Sequence, residues 1–218
     1  MEEANMCRLP TVLYWFPVGV LLLGFVSGCS PPPDPSAETA SLESSLLTVA
    51  EVDGGFVEES RGQVGVSGDG VCPESDFAFE DVGVVRVTFV WPTGDDEQVE
   101  LVEMLHVVES DGIDTLMADL EAALGSCEGV EWTDYGETKS FTVMDVPGIG
   151  DNTLGVRSPA DAPSDEGFDY GRVVYVADGD VFAEISIWET LEGATDTPVI
   201  SDDEMYQIAA TAVSRLPD

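Results

Sequence analysis

Residues 172–189 contain a strong signal for two adjacent antiparallel strands. Asp178-Gly179 is a dipeptide typical of two-residue β-turns, and the segments on either side of it, 172–177 and 181–189, are rich in β-branched and aromatic residues. A turn at these two residues predicts the facing pairs Val174 with Ala183 and Val176 with Val181 on one side of the sheet, and Tyr175 with Phe182 on the other. The chain must therefore build an antiparallel sheet.

Further strands are predicted on both sides of the middle of the chain. Residues 81–91 are predicted to be a strand. From residue 85 onward every second side chain is apolar, which places one set on a single face: Val85, Val87, Phe89 and Trp91. A Pro-Thr-Gly turn follows at Pro92, so residues 98–109 are predicted to return as the second strand of a hairpin. Weaker patterns predict strands over residues 63–67, 139–146 and 153–157.

Three helical segments are predicted from their capping residues. Thr48 and Glu51 have capping-box spacing and predict a short helical turn over residues 48–53. Asp111 is expected to cap a helix that ends at Gly125, and Ser201 a helix at the C-terminus. The apolar stripes of these two longer helices are Ile113, Leu116, Met117, Leu120 and Leu124 in the first, and Met205, Ile208, Ala209, Ala212, Val213 and Leu216 in the second.

The predicted element order is α-β-β-β-α-β-β-β-β-α. It lacks the strict alternation of strands and helices that a parallel doubly wound sheet requires. We therefore predict an α+β fold, with a mostly antiparallel sheet and two amphipathic helices packed on one face.

The N-terminus has the features of an export signal. Residues 11–28 contain no charged residue, a length that overlaps a short transmembrane helix. The run ends in Val26-Ser27-Gly28-Cys29, which resembles the lipobox of bacterial lipoproteins. This resemblance implies a signal peptide over residues 1–28 and a diacylglyceryl, palmitate-type lipid on Cys29. The alternative is an uncleaved anchor with an incidental cysteine.

The signal region departs from the usual pattern at its start. Glu2 and Glu3 cancel the charge of Arg8 and the amino terminus, whereas export signals usually begin positive. We therefore expect translation to start at Met6 instead of Met1. After Cys29, clustered prolines favour an extended polyproline II conformation, so residues 29–44 are predicted to be a tether and residues 45–218 the folded domain.

The cysteines and the charge both bear on the compartment and the partners. With Cys7 in the leader and Cys29 acylated, Cys72 and Cys127 are expected to form a disulfide outside the cytoplasm; a redox pair or a metal site is the alternative. The net charge of −37 disfavours nucleic-acid partners and attracts cations. The alternative is that this charge only keeps the domain soluble.

Three segments of the domain resemble the PknH-type extracellular sensor domain of actinobacterial receptor kinases and free-standing lipoproteins. They are residues 46–56 (LLTVAEVDGGF), 124–127 (LGSC) and 147–157 (PGIGDNTLGVR). The resemblance implies a mixed sheet with helices around a cleft that binds an extracellular ligand. It also implies a location on the outer face of an actinobacterial cell membrane. This chain has two domain cysteines where the kinase sensors have four.

Catalytic and metal-binding patterns are weak in this sequence. His106 is the only histidine, and it alternates with Met104 and Val108 along a predicted strand, which favours a structural role. Gly148-Ile149-Gly150 lacks the third glycine of a dinucleotide-binding loop and is interpreted as a turn. Acidic groups near Asp165 and Asp202 could bind calcium but do not have EF-hand spacing. We expect no enzymatic activity, cofactor or metal.

The second face of the late hairpin is the predicted ligand surface. Its residues are Tyr175, Phe182, Glu184 and Trp188, and aromatic rings beside a carboxylate suit ligand contact. The alternative is that these aromatic side chains are core. The expected function is a lipid-anchored domain that binds a small molecule or a cell-envelope partner. An envelope hydrolase using paired carboxylates and a carrier of apolar cargo are the other possibilities.

Overall fold

The structure is a computed structural model, and it describes residues 37–52, 54–64, 84–92, 98–108, 112–134, 137–158, 163–164, 167–191 and 198–217. All of them belong to one compact unit, Pro35–Asp218. The signal peptide, Cys29 and Cys72 lie outside the described residues, as do both candidate start codons. Within the described ranges, no helix is sufficiently long and apolar to cross a membrane.

The main sheet has eight strands. They are β1 (Val57–Val64), β2 (Val84–Pro92), β3 (Gln98–Val107), β6 (Thr142–Val143), β7 (Asn152–Ser158), β8 (Pro163–Ser164), β9 (Gly167–Asp178) and β10 (Val181–Leu191). Their order is β1-β2-β3-β10-β9-β7-β6, and β8 pairs with β9. β4 (Trp132–Asp134) and β5 (Glu137–Lys139) form a separate hairpin. The described residues also form three helices: α1 (Ala37–Ser45), α2 (Ile113–Cys127) and α3 (Asp202–Val213).

The predicted fold class and element order are confirmed, with short strands added between the long ones. Every pairing among the described strands is antiparallel, whereas the sensor-domain resemblance implied a mixed sheet. The late hairpin forms where it was predicted, but the predicted register is wrong by two residues. Tyr175 faces Glu184 and Val176 faces Ala183.

The register differs because the turn lies one residue later than predicted. Asp178 pairs with Val181, so that Gly179 is the first loop residue and has a φ of 59°. Glycine adopts this left-handed conformation without steric cost. A register shift of two residues leaves each side chain on its predicted face, because the strand period is two.

Helices α1 and α3 cover one face of the sheet, which we call the first face. Its core contains Val85, Val87 and Phe89 of β2 together with Val174, Val176 and Ile185 of the late hairpin. The α1 segment contributes Leu42, Leu46 and Leu47, and α3 contributes Met205, Ile208, Ala209 and Ala212. The predicted apolar stripe of α3 and the predicted apolar face of β2 are both buried here.

Helix α2 covers the opposite face, which we call the second face. Met117, Leu120 and Leu124 of α2 pack against Tyr175 and Phe182 in a separate core. The prediction that the two amphipathic helices share one face is therefore wrong. Each helix stripe and each strand face was identified correctly, but sequence periodicity does not determine which face of the sheet a helix covers.

Several predicted boundaries also need correction. Helix α1 lies inside the predicted tether, and Leu42 within it is buried, so the folded domain begins before residue 45. Residues 48–52 form a hydrogen-bonded turn in which the Glu51 carboxylate accepts from the Thr48 amide at 2.8 Å. The cap of α2 is Gly112 and not Asp111, and this helix continues past Gly125.

The cysteine pairing stays a prediction because Cys72 lies outside the described residues. Cys127 is buried at the end of α2, at the place from which the predicted disulfide would start.

Candidate functional site

Helix α2 covers two of the four residues of the predicted ligand surface, Tyr175 and Phe182. Tyr175 is 7% exposed and Phe182 is 0% exposed, and their rings stack with centroids 5.9 Å apart beneath the helix. These two aromatic residues are core, so the alternative interpretation is right for them. Their predicted exposure required α2 to lie on the other face of the sheet.

Glu184 and Trp188 follow Phe182 along the same side of β10, and Trp188 lies beyond the part of the second face that α2 covers. Trp188 is 44% exposed, and its ring lies over Gly171, where an added Cβ would come within 2.3 Å of it. Glu184 is half-buried, and burial raises the pKa of its carboxyl group to about 7 despite the opposing charge of Arg86. The ligand role assigned to this pair stays a prediction.

His106 is also a residue of the second face. Its ring is 5.5 Å from that of Phe182 in an edge-to-face arrangement, and burial lowers the pKa of the imidazole to about 4. A neutral, buried histidine packed against an aromatic core is consistent with the predicted structural role.

The acidic residues that could bind calcium serve other purposes where the structure describes them. Asp202 accepts hydrogen bonds from Arg157 and Arg172, and Glu204 caps α3. Asp165 and Glu166 lie outside the described residues. Within the described residues, no group of three or more histidine, cysteine or acidic side chains could hold a metal ion.

A cavity of about 510 Å³ lies on the first face, between the turn at residues 48–52 and helix α3. We call it the Trp91 cleft. Its lining residues are Glu51, Gly54, Trp91, Val199, Ile200, Glu204, Gln207, Ile208 and Thr211. The volume lies within the range typical of small-molecule sites, roughly 300–1,000 Å³.

Helix α3 forms one side of the Trp91 cleft. The four lining residues of this helix, Glu204, Gln207, Ile208 and Thr211, have the i, i+3, i+4, i+7 spacing that places side chains on one helical face. The helix begins with the predicted capping box: the Ser201 hydroxyl accepts from the Glu204 amide, and Glu204 accepts from the Ser201 amide. This cap fixes the position of the Glu204 carboxylate at the cleft.

The turn at residues 48–52 forms the opposite side. Glu51 Oε2 accepts hydrogen bonds from the amide and the hydroxyl of Thr48, and Glu51 Oε1 is 2.5 Å from the Arg215 guanidinium. Arg215 also donates to the carbonyl groups of Ser44 and Ser45. Residues after the end of α3 thus hold the turn in place.

A buried ion pair positions the third side, Val199 and Ile200. The side chains of Arg172 and Glu189 are 0% and 1% exposed, with a nitrogen–oxygen distance of 2.5 Å. Glu189 also accepts hydrogen bonds from the amides of Val199 and Ile200, at 2.6 and 3.2 Å. Arg172 donates to Asp202 at the start of α3. One network therefore ties two sides of the cleft to the sheet.

Trp91 is the aromatic residue that lines the cleft. Its ring is 5.8 Å from that of Phe56, and Gly54 and Gly55 pass beside it with φ values of 99° and 94°. Glycine is the residue that adopts such positive φ values without strain. The two glycines that follow the predicted 48–53 turn therefore shape this site.

Both carboxylates of the cleft are ionised at neutral pH. For Glu51, burial raises the pKa, but the hydrogen bonds from Thr48 and the contact with Arg215 outweigh it and leave the pKa below its ordinary value. Hydrogen bonds from Ser201 lower the pKa of Glu204. The cleft thus combines an indole ring, apolar side chains and negative charge.

Sequence patterns alone did not identify the Trp91 cleft. Trp91 was predicted correctly on one face of its strand, and the apolar stripe of α3 on one face of its helix. The cleft, however, forms where the first face of the sheet is left open between α3 and a turn that is distant in the sequence. The capping-box glutamates, Glu51 and Glu204, were the available signal, because each is fixed at the start of a helical turn.

Comparison with solved structures identifies the fold. The domain is similar to the crystal structure of the extracellular domain of PknH from Mycobacterium tuberculosis, with a TM-score of 0.53 and 16% sequence identity. The similarity covers 83% of this chain and 96% of that chain. The predicted PknH-like resemblance is therefore confirmed at the level of the fold. No protein-family profile matches the sequence, and no curated protein matches it.

Proposed function

We propose that this protein is a lipid-anchored, extracytoplasmic domain that binds a small ligand in the Trp91 cleft, in the manner of a sensor and without catalysing a reaction. The observation on which the proposal depends is the cleft itself, a cavity of about 510 Å³. Its sides come from three separate parts of the chain that buried or capping interactions fix in place. A preformed cavity of this kind reduces the entropy cost of binding.

The extracytoplasmic location is supported by the fold and by the N-terminal sequence. The similar solved structure is an extracellular domain. The lipobox-like ending at Cys29 then implies an acyl anchor, and the protein would be attached to the outer face of the cell membrane.

A binding role also agrees with the state of the polar groups at the cleft. Glu51 is engaged by Thr48 and Arg215, and Glu204 by Ser201. Carboxylates fixed in this way, with lowered pKa values, suit recognition better than proton transfer near neutral pH. His106, which is buried on the other face, is distant from them in the fold.

The anchor is tested by metabolic labelling with an alkyne fatty acid in the native host. We expect label on the wild-type protein, no label on Cys29→Ala, and protease accessibility of the wild-type domain in intact cells. An unlabelled wild-type protein, or equal labelling and membrane retention of Cys29→Ala, would contradict the anchor.

The cleft is tested by filling it. Thr211→Trp places a large ring in the cleft, and Ala210→Trp adds the same bulk at an exposed α3 position that does not line it. A small-molecule extract of the host envelope should raise the Tm of wild type and Ala210→Trp but not of Thr211→Trp. If the extract raises the Tm of all three proteins equally, or of none, the Trp91 cleft is not the binding site.

A further inference from the structure

We infer that the ligand of the Trp91 cleft is an organic cation: an ammonium group attached to an apolar or aromatic body. This inference rests on the proposed binding role of the cleft and specifies the chemistry of the ligand. The inference depends on three features of the cleft: the negative charge of a carboxylate, unoccupied hydrogen-bond acceptors and an aromatic ring.

The charge available to a ligand comes from Glu204. Its Oε2 atom accepts from both the amide and the hydroxyl of Ser201, at 2.8 and 2.6 Å. Its Oε1 atom makes no hydrogen bond to any residue that the structure describes. One ionised carboxylate oxygen is therefore free at the edge of the cleft, and a positively charged donor would satisfy it with a charge-assisted hydrogen bond.

The second carboxylate contributes less. Glu51 Oε1 is occupied by Arg215 at 2.5 Å, and Oε2 by Thr48. This pair is close to neutral as a unit. Among the described residues, no arginine, lysine or histidine lines the cleft. Arg172 acts on Glu204 from outside the lining, so the carboxylate of Glu204 favours a cation over an anion at this edge of the cleft. The strongly acidic chain as a whole acts in the same direction.

The remaining lining residues select the body of the ligand. Trp91 offers the aromatic ring that interacts best with cations, and Ile200 and Ile208 supply apolar contact. The Thr211 hydroxyl donates to the Gln207 carbonyl group within α3, so its lone pairs remain to accept a hydrogen bond. Glu204 and Thr211 are seven residues apart along α3, which is about 10.5 Å. The ammonium group would therefore lie at Glu204, and the Thr211 hydroxyl would accept a hydrogen bond from another part of the ligand.

Three soluble probes that share one aryl body separate charge from shape. Tyramine is cationic, 4-hydroxyphenylethanol is neutral and 4-hydroxyphenylacetate is anionic. Their affinities for the mature protein in detergent would be measured by calorimetry at neutral pH, with protein-free micelles as the blank. A cation–π contact and an exposed ion pair together favour the cation by about tenfold.

The decisive variant is Glu204→Gln. Glutamine at this position keeps the capping box, so α3 stays intact while the charge is removed. Asp203→Asn is the matched control, because it removes one charge from the same helical turn at an exposed residue that does not line the cleft. We expect Glu204→Gln to reduce the tenfold preference for tyramine to about threefold, which is the share of the cation–π contact with Trp91, and Asp203→Asn to leave the preference unchanged.

Other outcomes overturn the inference and are distinguishable from failure of the proposed function. If the three probes bind equally and Thr211→Trp abolishes their binding, the cleft binds ligands but does not select cations. If none of the probes binds, or tyramine binding is insensitive to Glu204→Gln, the inferred ligand class is wrong. The extract experiment, with Thr211→Trp and Ala210→Trp, then decides separately whether the cleft is a binding site.

Discussion

Phe182 and Trp188 lie on the same side of one strand but in very different surroundings. Phe182 is fully buried between the sheet and α2, where it contacts both Tyr175 and His106. Trp188 lies six residues further along the strand, where its ring covers Gly171 and remains 44% exposed. The cost of removing each ring should follow this difference in burial.

We predict that Phe182→Ser destabilises the domain by about 4 kcal/mol, because it creates a cavity and buries a hydroxyl group. Trp188→Ser is the matched control on the same strand, with an expected loss of about 1–2 kcal/mol. Urea unfolding of the two variants measures both values. Equal losses would mean that α2 does not cover this part of the second face.

The carboxyl group of Glu184 should make stability depend on pH. Burial raises its pKa to about 7, so the folded state holds the proton more tightly than the unfolded state. The stability associated with this proton is complete below about pH 4.5 and is lost as pH rises through 7. We predict that the unfolding free energy of the wild type falls by on the order of 2 kcal/mol, relative to that of Glu184→Gln, as the pH rises from about 4.5 to 7.

The measurement is the unfolding free energy of both proteins at several pH values between 4 and 8. Taking the difference between wild type and Glu184→Gln cancels the contributions of other groups, including His106, whose lowered pKa acts in the opposite direction. A difference that does not change with pH would show that Glu184 is exposed to solvent in the native protein.

Sequence reasoning at the residue scale assigned faces well and environments less well. Val174 and Val176 were separated correctly from Tyr175, because alternation along a strand has a fixed period. The exposure of Tyr175 was wrong because it depended on the position of α2. A strand pattern contains no information about which helix covers which face.

At the scale of elements, the loop before β7 shows how one glycine can fix a connection. Gly150 has a φ of 66°, and a Cβ at this residue would lie 2.8 Å from the Ala177 carbonyl oxygen. The next residue, Asp151, donates its amide to that same oxygen and accepts from the Gly179 amide. The loop is thereby joined to the end of the β9–β10 hairpin.

We predict that Gly150→Ala costs about 2 kcal/mol or more, from the left-handed backbone and the backbone contact together. Gly148→Ala is the matched control two residues earlier, where the added methyl group meets no atom within 4 Å. Its expected effect is within about 0.5 kcal/mol. Thermal unfolding compares the two, and a larger loss for Gly148→Ala would contradict this account of the loop.

Elements with strong local signals were predicted, and those that depend on packing were not. Helix α3 begins at its predicted capping box because Ser201 and Glu204 satisfy each other locally. Helix α1 was missed because its sequence, AETASLESS, contains one large apolar residue, Leu42, and therefore no stripe. Burial of Leu42 and of the following Leu46 and Leu47 against the sheet, which is a tertiary effect, accompanies this helix.

At the scale of the whole molecule, the sheet separates two cores with different contents. The second face under α2 is closed by aromatic packing, while the first face leaves the Trp91 cleft open beside α3. The segment from Ala37 to Glu51, which begins within the predicted tether, is packed on this first face. The proposed ligand site therefore lies on the same face of the sheet as the first described residues of the domain.

Native mass spectrometry of the mature protein, purified from its own host, tests whether the Trp91 cleft holds a ligand. We expect an additional small-molecule mass on the wild-type protein, beyond the acyl modification, which remains in Ala210→Trp and disappears in Thr211→Trp. Wild-type and Thr211→Trp proteins that retain the same molecule, or no molecule on either, would contradict a binding role for the Trp91 cleft.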